Sequence, residues 1–343
     1  SVNVSLIYKP IEKLKNKFTL ANTYIKRIYN AAPGSKNTKQ DNYYGDRYAL
    51  LYQGEYNFDL DNSIVFGLER EDDQMGYNKD ETGRIDSNAY VTSKYFDYQS
   101  RITKNLYGTL GARFDEHSLA GDGSNEDSHR ATLAYVFDGK ATKLKSSYGT
   151  GYRFPSLYEI FYVWNSRNNC NFGGSNCGDV GFRKAETSVS YDFGIEKSIN
   201  SNLFIDLTYF NIEYNDALEG WEGNMGAGSG STTQNSPSST KSQGLEFMSK
   251  FKLNEILDFG LNYTYTQTYD GAEFDNPNNS SSNINSQMVR VPRNLLNLTT
   301  NIKVPDYKDL DITLRTKWSD KARDYGNGNA NRNGSATFAD ASL

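Results

Sequence analysis

The chain is short of the residues from which many functional sites are built. Its 343 residues include two cysteines, two histidines, four methionines and seven prolines. With only His117 and His129, both at the edges of one polar stretch, a Ser/His/Asp arrangement has little material, and a solvated loop position is the plainer reading of each. Zinc would need two ligands beyond Cys170 and Cys177, and neither histidine lies near them in sequence. No run approaches the ~18 consecutive apolar residues of a membrane-crossing helix, and no charged-then-apolar segment opens the chain. A helical membrane protein is therefore excluded. Lys and Arg (37) are fewer than Asp and Glu (42) and are spread throughout, so the net charge of −5 comes with no basic stripe and nucleic-acid partners are set aside.

Apolar residues are scarce as well, at 36% with a mean hydropathy of −0.73, a poor composition for a conventional globular core. Disorder does not follow. Disordered chains are short of aromatics, and here they make up 14%, with 26 Tyr and 18 Phe. The apolar residues that are present fall at every second position. From 310 to 318, Leu310, Ile312, Leu314 and Trp318 share one face while Asp311, Thr313, Arg315 and Lys317 share the other. Leu296, Leu298, Ile302 and Val304 oppose Asn297, Thr299, Asn301 and Lys303 in the same way, as do Phe259, Leu261, Tyr263 and Tyr265 against Asp258, Gly260, Asn262 and Thr264.

This period predicts about fourteen strands, at roughly 1–11, 17–31, 45–59, 63–73, 89–103, 106–117, 129–138, 142–155, 187–199, 202–216, 241–253, 257–270, 294–304 and 310–325, with a fifteenth beginning near Thr337. The connections alternate in length. Short turns fall near Lys13, Leu60, Lys104, Gly139, Asn200, Asn254 and Asp306, and long polar loops lie at 32–44, 74–88, 118–128, 156–186, 217–240, 271–293 and 326–336. A soluble sandwich or propeller also alternates its faces, but nothing in its physics makes every second loop long, whereas outer-membrane barrels do so routinely. The expected fold is all-β, a transmembrane antiparallel β-barrel. In hydrocarbon every N–H and C=O must be paired, so strands can cross only in a closed barrel. Strands that stop in mid-hairpin at Leu343 are expected to be part of a larger wall, truncated at the C-terminal end or at both ends.

Within this frame, Ser147-Tyr-Gly-Thr-Gly-Tyr-Arg-Phe-Pro-Ser-Leu-Tyr-Glu-Ile-Phe161 resembles the conserved strand and loop start of the TonB-dependent outer-membrane receptors, through Tyr148, Gly149, Gly151, Arg153, Pro155 and Ser156. Lys184-Ala-Glu-Thr-Ser188 is similar to the family's Lys-Pro-Glu-Lys-Ser run, with Glu186 in the matching place, and Tyr191 to Lys197 resembles the strand that follows it. Leu207 to Asp216, Lys241-Ser-Gln-Gly-Leu-Glu246 and Val291-Pro-Arg293 come next in the family's order. There are departures. Ala185 stands where the family usually has proline, Gly178 to Phe182 replaces an Asn-Pro-x-Leu motif, and no histidine lies between Arg153 and Glu186, which disfavours haem uptake.

The resemblance implies a barrel of about 22 strands, of which 1–343 supplies fourteen to fifteen. It also implies a bacterial outer-membrane location, contact with outer-membrane lipid, and import of a cobalamin-like compound or a ferric siderophore. Energy would come from the TonB complex through an N-terminal plug domain that this chain lacks. Arg315 to Leu343 looks most like the vitamin B12 receptor branch. A passive porin shares the barrel without these motifs, and a barrel hydrolase is the remaining alternative. No cofactor is implied.

Candidate ligand contacts are the extracellular aromatics Tyr162, Trp164 and Trp221, because a rigid apolar face with a polar tip captures area at little entropic cost. Such residues also anchor barrels in lipid headgroups, the reading preferred for Tyr158. The acidic stretch Glu69-Arg-Glu-Asp-Asp73, with Asp80 and Glu81, could hold Ca²⁺ across a loop or be a solvated acidic loop; it lacks the regular spacing of a dedicated calcium site. Arg153 on an inner face could pair with carboxylates, and Pro155 would end strand pairing at the rim. Cys170 and Cys177 flank a Gly/Asn-rich stretch and suit a local disulfide in an oxidising compartment, the alternative being two free thiols. Closing so short a ring removes chain entropy on the order of 2–3 kcal/mol, confined to the loop. Mass spectrometry of non-reduced peptides from outer membranes is expected to find Cys170 joined to Cys177. Two free thiols in the native protein would rule the bond out.

Overall fold

The computed structural model describes residues 1–30, 40–78, 84–118, 125–139, 141–157, 159, 184–224, 229–236, 239–269, 287–288, 290–305, 307, 310–323 and 332–342. Fifteen strands form one sheet: β1 (Val2–Ile11), β2 (Leu14–Asn30), β3 (Gln40–Asn57), β4 (Asn62–Asn78), β5 (Arg84–Arg101), β6 (Leu106–His117), β7 (Asn125–Val136), β8 (Thr142–Arg153), β9 (Glu186–Ser198), β10 (Leu203–Asn215), β13 (Thr240–Lys252), β14 (Leu257–Tyr269), β15 (Asn294–Lys303), β16 (Asp311–Ser319) and β19 (Ala336–Ser342). Every neighbouring pair is antiparallel and spatial order follows chain order. Two separate hairpins interrupt the sequence, β11 (Leu218–Asn224) with β12 (Ser229–Asn235), and β17 (Ala322–Arg323) with β18 (Arg332–Asn333).

This up-and-down meander is the expected all-β wall, and its polarity is inside out. Among the described residues the buried apolar side chains are few: Ala89, Pro155, Leu157 and Ala185. Leu50, Leu68, Phe96, Leu110, Leu133, Phe193, Leu207, Leu245, Leu298 and Leu314 are all exposed, on one face of the sheet. Register places Ile195 against Leu207 and Phe193 against Tyr209, so the outward apolar side chains run from strand to strand as a band. The opposite face carries the charges. That is the arrangement of strands whose outer surface meets lipid.

Tight turns close one end of the sheet by recurring chemistry. Asn200 Oδ1 accepts the N–H groups of Asn202 and Leu203 at 2.8 and 2.9 Å, and Asn254 Oδ1 accepts those of Ile256 and Leu257 at 2.9 Å each. A short side-chain acceptor satisfies backbone donors that the turn leaves unpaired.

The other end departs from the sequence expectation. β2 to β5 run 17 or 18 residues each, well beyond the ~9–11 that cross hydrocarbon. Pairing continues through Lys26↔Tyr44 and Gly76↔Asp86, so residues 40–44 of the loop expected at 32–44, and 74–78 and 84–88 of the one expected at 74–88, are strand. The acidic stretch Glu69 to Asp73 lies in β4, inside the strand expected at 63–73, and is not part of a loop. Beyond the membrane, pairing no longer needs apolar side chains to mark it, and polar residues sustain the ladder. The hairpin β11–β12 inside the expected 217–240 loop, and the small β17–β18 hairpin, were also not foreseen.

Phe210 lies across Gly244 on the inner face. A Cβ at Gly244 would sit 1.9 Å from the Tyr265 carbonyl oxygen and 2.8 Å from the Phe210 ring, whereas one at Gly260 would meet nothing closer than Thr299 Cβ at 3.9 Å. Gly244→Val is therefore expected to cost about 1–3 kcal/mol or more by overpacking and to reduce the heat-modifiable receptor seen on gels, while Gly260→Ala assembles normally. Equal assembly of both variants would contradict this packing.

Candidate functional site at the outer rim

The inner face of β3 to β10 is a wall of paired charges. Arg47 Nε lies 2.6 Å from Asp73 and its Nη1 lies 3.3 Å from Glu71. Arg113 spans Glu69 and Asp115, each at 3.0 Å, and donates to Ser93 Oγ at 2.7 Å. Arg130 meets Asp97 at 2.6 Å, and Lys145 reaches Asp206 at 2.7 Å and Glu196 at 3.2 Å. Ser147 Oγ donates to Asp192. The carboxylates of the acidic stretch thus face arginines, and among the described residues no group of three or more side chains is placed to hold a metal ion. The calcium reading of Glu69 to Asp73 gains no support from this geometry.

His117 corrects a second expectation. It is only 6% exposed, at the end of β6, and its ring centroid lies 4.9 Å from that of Phe154, where β8 leaves the sheet. The ring that covers it comes from just past the end of β8, far along the chain, so no local signal announces the burial. His129 does reach solvent, but from β7 rather than from a loop, and its Nδ1 is 3.4 Å from Asp127.

The motif residues converge where β8 ends and β9 begins. Arg153 and Glu186 are register partners, and Arg153 Nε donates to Glu186. The other two guanidinium nitrogens donate to Glu159, at 2.9 and 3.0 Å. Ser156 donates to Glu159 Oε2 from both its N–H and its hydroxyl, at 2.8 Å each, and the Glu159 N–H donates back to Ser156 Oγ at 3.2 Å. This is the reciprocal Ser-x-x-Glu pattern of a capping box. Pro155, which has no N–H to give, ends the ladder just before it and is buried, as are Leu157 and Ala185.

Further bonds reach this junction from a distant part of the chain. Glu186 Oε1 accepts the N–H of Leu218, the first residue of β11. Asn235, at the end of β12, accepts the Lys184 N–H at 2.8 Å and donates to the carbonyls of Lys184 at 2.9 Å and Asp216 at 2.7 Å. Asp216 has φ of +53°, a left-handed conformation that turns the chain out of β10 and into the hairpin. Asp tolerates that region better than most residues, and the Asn235 bond fixes its carbonyl. Gln287 plays a comparable part on β14, accepting the Thr268 N–H at 3.0 Å and donating to the carbonyls of Thr266 and Val291 at 3.3 Å each.

Of the sequence candidates, Arg153, Pro155, Ser156 and Glu186 come together here. Gly149 and Gly151 lie on the inner face of β8, and Tyr148 points outward, exposed in the apolar band. Tyr158, Tyr162, Trp164, Cys170 and Cys177 lie outside the described residues, and Trp221 is placed only as a position on β11. Sequence reasoning missed Glu159, Asn235 and Gln287. Only Glu159 carried a local signal, its spacing from Ser156.

The arrangement holds chain segments together and offers no paired acid and base. A meander with an outward apolar band, a charged inner wall and long loops at one end defines an outer-membrane β-barrel. Residues 3–343 match the family model described as TonB dependent receptor-like, beta-barrel, and the chain belongs to that family of bacterial outer-membrane receptors, which are not enzymes. No curated protein matches it. Among solved structures it is similar to the copper transporter OprC at 13% identity and TM-score 0.75, covering 99% of this chain and 56% of that one. It is also similar to a ferric enterobactin receptor (PfeA) mutant from Pseudomonas aeruginosa, at 18% identity and TM-score 0.74 with 98% and 52% covered. The siderophore receptor PirA from Acinetobacter baumannii follows at 16% identity and TM-score 0.68, with 96% and 53% covered. The chain spans about half the length of these structures.

Burial alone would raise the Glu159 carboxyl, but the hydrogen bonds from Arg153 and Ser156 and the Arg153 charge outweigh it and hold the group below the usual glutamate range. A group whose folded value is depressed contributes stability above its unfolded value, about 4.3, and loses it as pH falls through the folded value. In Arg153→Ala only the burial and the Ser156 bonds remain, so Glu159 is expected to titrate higher. Infrared difference titration, with Glu159→Gln as the blank, measures it. An unchanged titration would show that Arg153 does not hold this carboxylate.

Proposed function

We propose that this chain forms the wall and outer rim of a receptor that imports a scarce, bulky nutrient, with energy delivered by the TonB complex through a plug domain. The observation that carries the reading is the match of residues 3–343 to the receptor-barrel family, in agreement with the motif run from Tyr148 to Glu186. The titles of the similar structures name a copper transporter, a ferric enterobactin receptor and a siderophore receptor. A ferric siderophore is accordingly the first substrate class to test and a cobalamin-like compound the second, the latter resting on the likeness of Arg315 to Leu343 to the vitamin B12 branch.

Tyr162, Trp164 and Trp221 are the proposed contacts, in the two loops whose bases meet at Glu186. Large aromatic faces suit a bulky ligand that has to be captured from dilute solution and later released. A disulfide between Cys170 and Cys177 would shorten the first of these loops and leave it less freedom to lose on binding.

The full-length receptor, expressed in cells, tests this directly. Labelled ferric siderophores, cobalamin and copper are each expected to be screened for saturable surface binding, and uptake of the one that binds should stop in TonB-deficient cells while binding persists. Flux that rises linearly with concentration and ignores TonB would indicate a passive pore and overturn the reading.

A further inference from the structure

We propose that Arg153, Glu186 and Asn235 couple the base of the loop between β8 and β9 to the base of the β11–β12 hairpin, so that a displacement of either is transmitted to the other. The coupling is independent of which nutrient is carried.

Few groups do the joining. Glu186 divides its carboxylate, with Oε2 facing Arg153 at the end of β8 and Oε1 accepting the Leu218 N–H at the start of β11. Moving either partner disturbs the one group that both share. Arg153 in turn holds Glu159, which holds the Ser156 N–H, so the outgoing end of the β8–β9 loop hangs from the same carboxylate. Asn235 makes the return connection. It uses its oxygen on the Lys184 N–H and its amide hydrogens on the Lys184 and Asp216 carbonyls, which ties the incoming end of that loop to both sides of the hairpin base. The Ser236 N–H donates to the Ala217 carbonyl at 2.7 Å and closes the base itself.

Two loop bases fixed separately to the barrel would behave differently. Each would have its own partners on its own strands, as Gln287 provides on β14 for the chain returning to β15. At Glu186 the partners are shared between elements that are 32 residues apart in sequence, and at Asn235 and Lys184 they are 51 apart. Energetic coupling of this kind is reciprocal, so it can be read from both directions.

The test is amide hydrogen exchange in the full-length receptor, with one variant on each side. Asn235→Ala is expected to speed exchange several-fold at Ser156, which Asn235 does not touch. Arg153→Ala is expected to do the same at Leu218, which Arg153 does not touch. The Leu207 amide, in the middle of β10, reports that the barrel is intact in each. If each variant speeds only the amides whose own bonding network it enters directly, Lys184 for the first and Ser156 for the second, the two bases are anchored separately and the proposal fails. Either variant alone decides the matter should the other not assemble.

Discussion

A backbone amide in hydrocarbon has no water to bond, so each must find its partner inside the protein. The rest of this structure follows from that requirement. Strands that pair with their sequence neighbours satisfy it with the shortest connections, which gives fifteen strands whose spatial and chain orders coincide. Pairing in turn imposes a period of two, and one face of every strand is committed to lipid. Apolar residues are needed only on that face. The low mean hydropathy and the near absence of a buried apolar core are therefore consequences of the architecture.

The other face is free to be polar, and its charges are matched across strands. Arg47 and Lys145 each meet a carboxylate on the adjacent strand, while Arg113 reaches Glu69 and Arg130 reaches Asp97 two strands away. Exposed pairs of this kind contribute ~0.2–1 kcal/mol each, so their stabilising effect is modest. What they accomplish is to let long charged side chains occupy the inner wall without leaving net charge unpaired there. Glycine makes room where such a side chain lies flat: a Cβ at Gly194 would come within 2.6 Å of Lys145 Cε.

Much of this fold could be read from sequence because alternation is a local signal. The strands at 106–117, 257–270 and 294–304 agree with Leu106–His117, Leu257–Tyr269 and Asn294–Lys303 to within a residue. Where the strands rise beyond the lipid the signal disappears while the pairing continues, so β3, β4 and β5 are longer than alternation alone predicts. The β11–β12 hairpin has almost no apolar residues to alternate, since Ser229–Asn235 reads Ser-Gly-Ser-Thr-Thr-Gln-Asn. The rim was legible in part. Arg153 and Pro155 announced themselves through a motif, but Asn235 is one asparagine in a polar stretch, and its partners Lys184 and Asp216 can be recognised only once the chain has folded.

The contrast between wall and rim also separates what is generic from what is particular. The wall needs only alternation, small turns and matched charges, so structures no more than 18% identical over half their length share it. The rim is built from specific side chains that bond across elements, and a substitution there would leave a partner unpaired instead of merely altering a surface. A receptor that must hold ligand-contacting loops above a rigid wall gains from fixing the loop bases, because chain already ordered gives up less freedom when a ligand arrives. Fastening the bases through capping contacts and amide side chains leaves the segments beyond them free to vary in sequence.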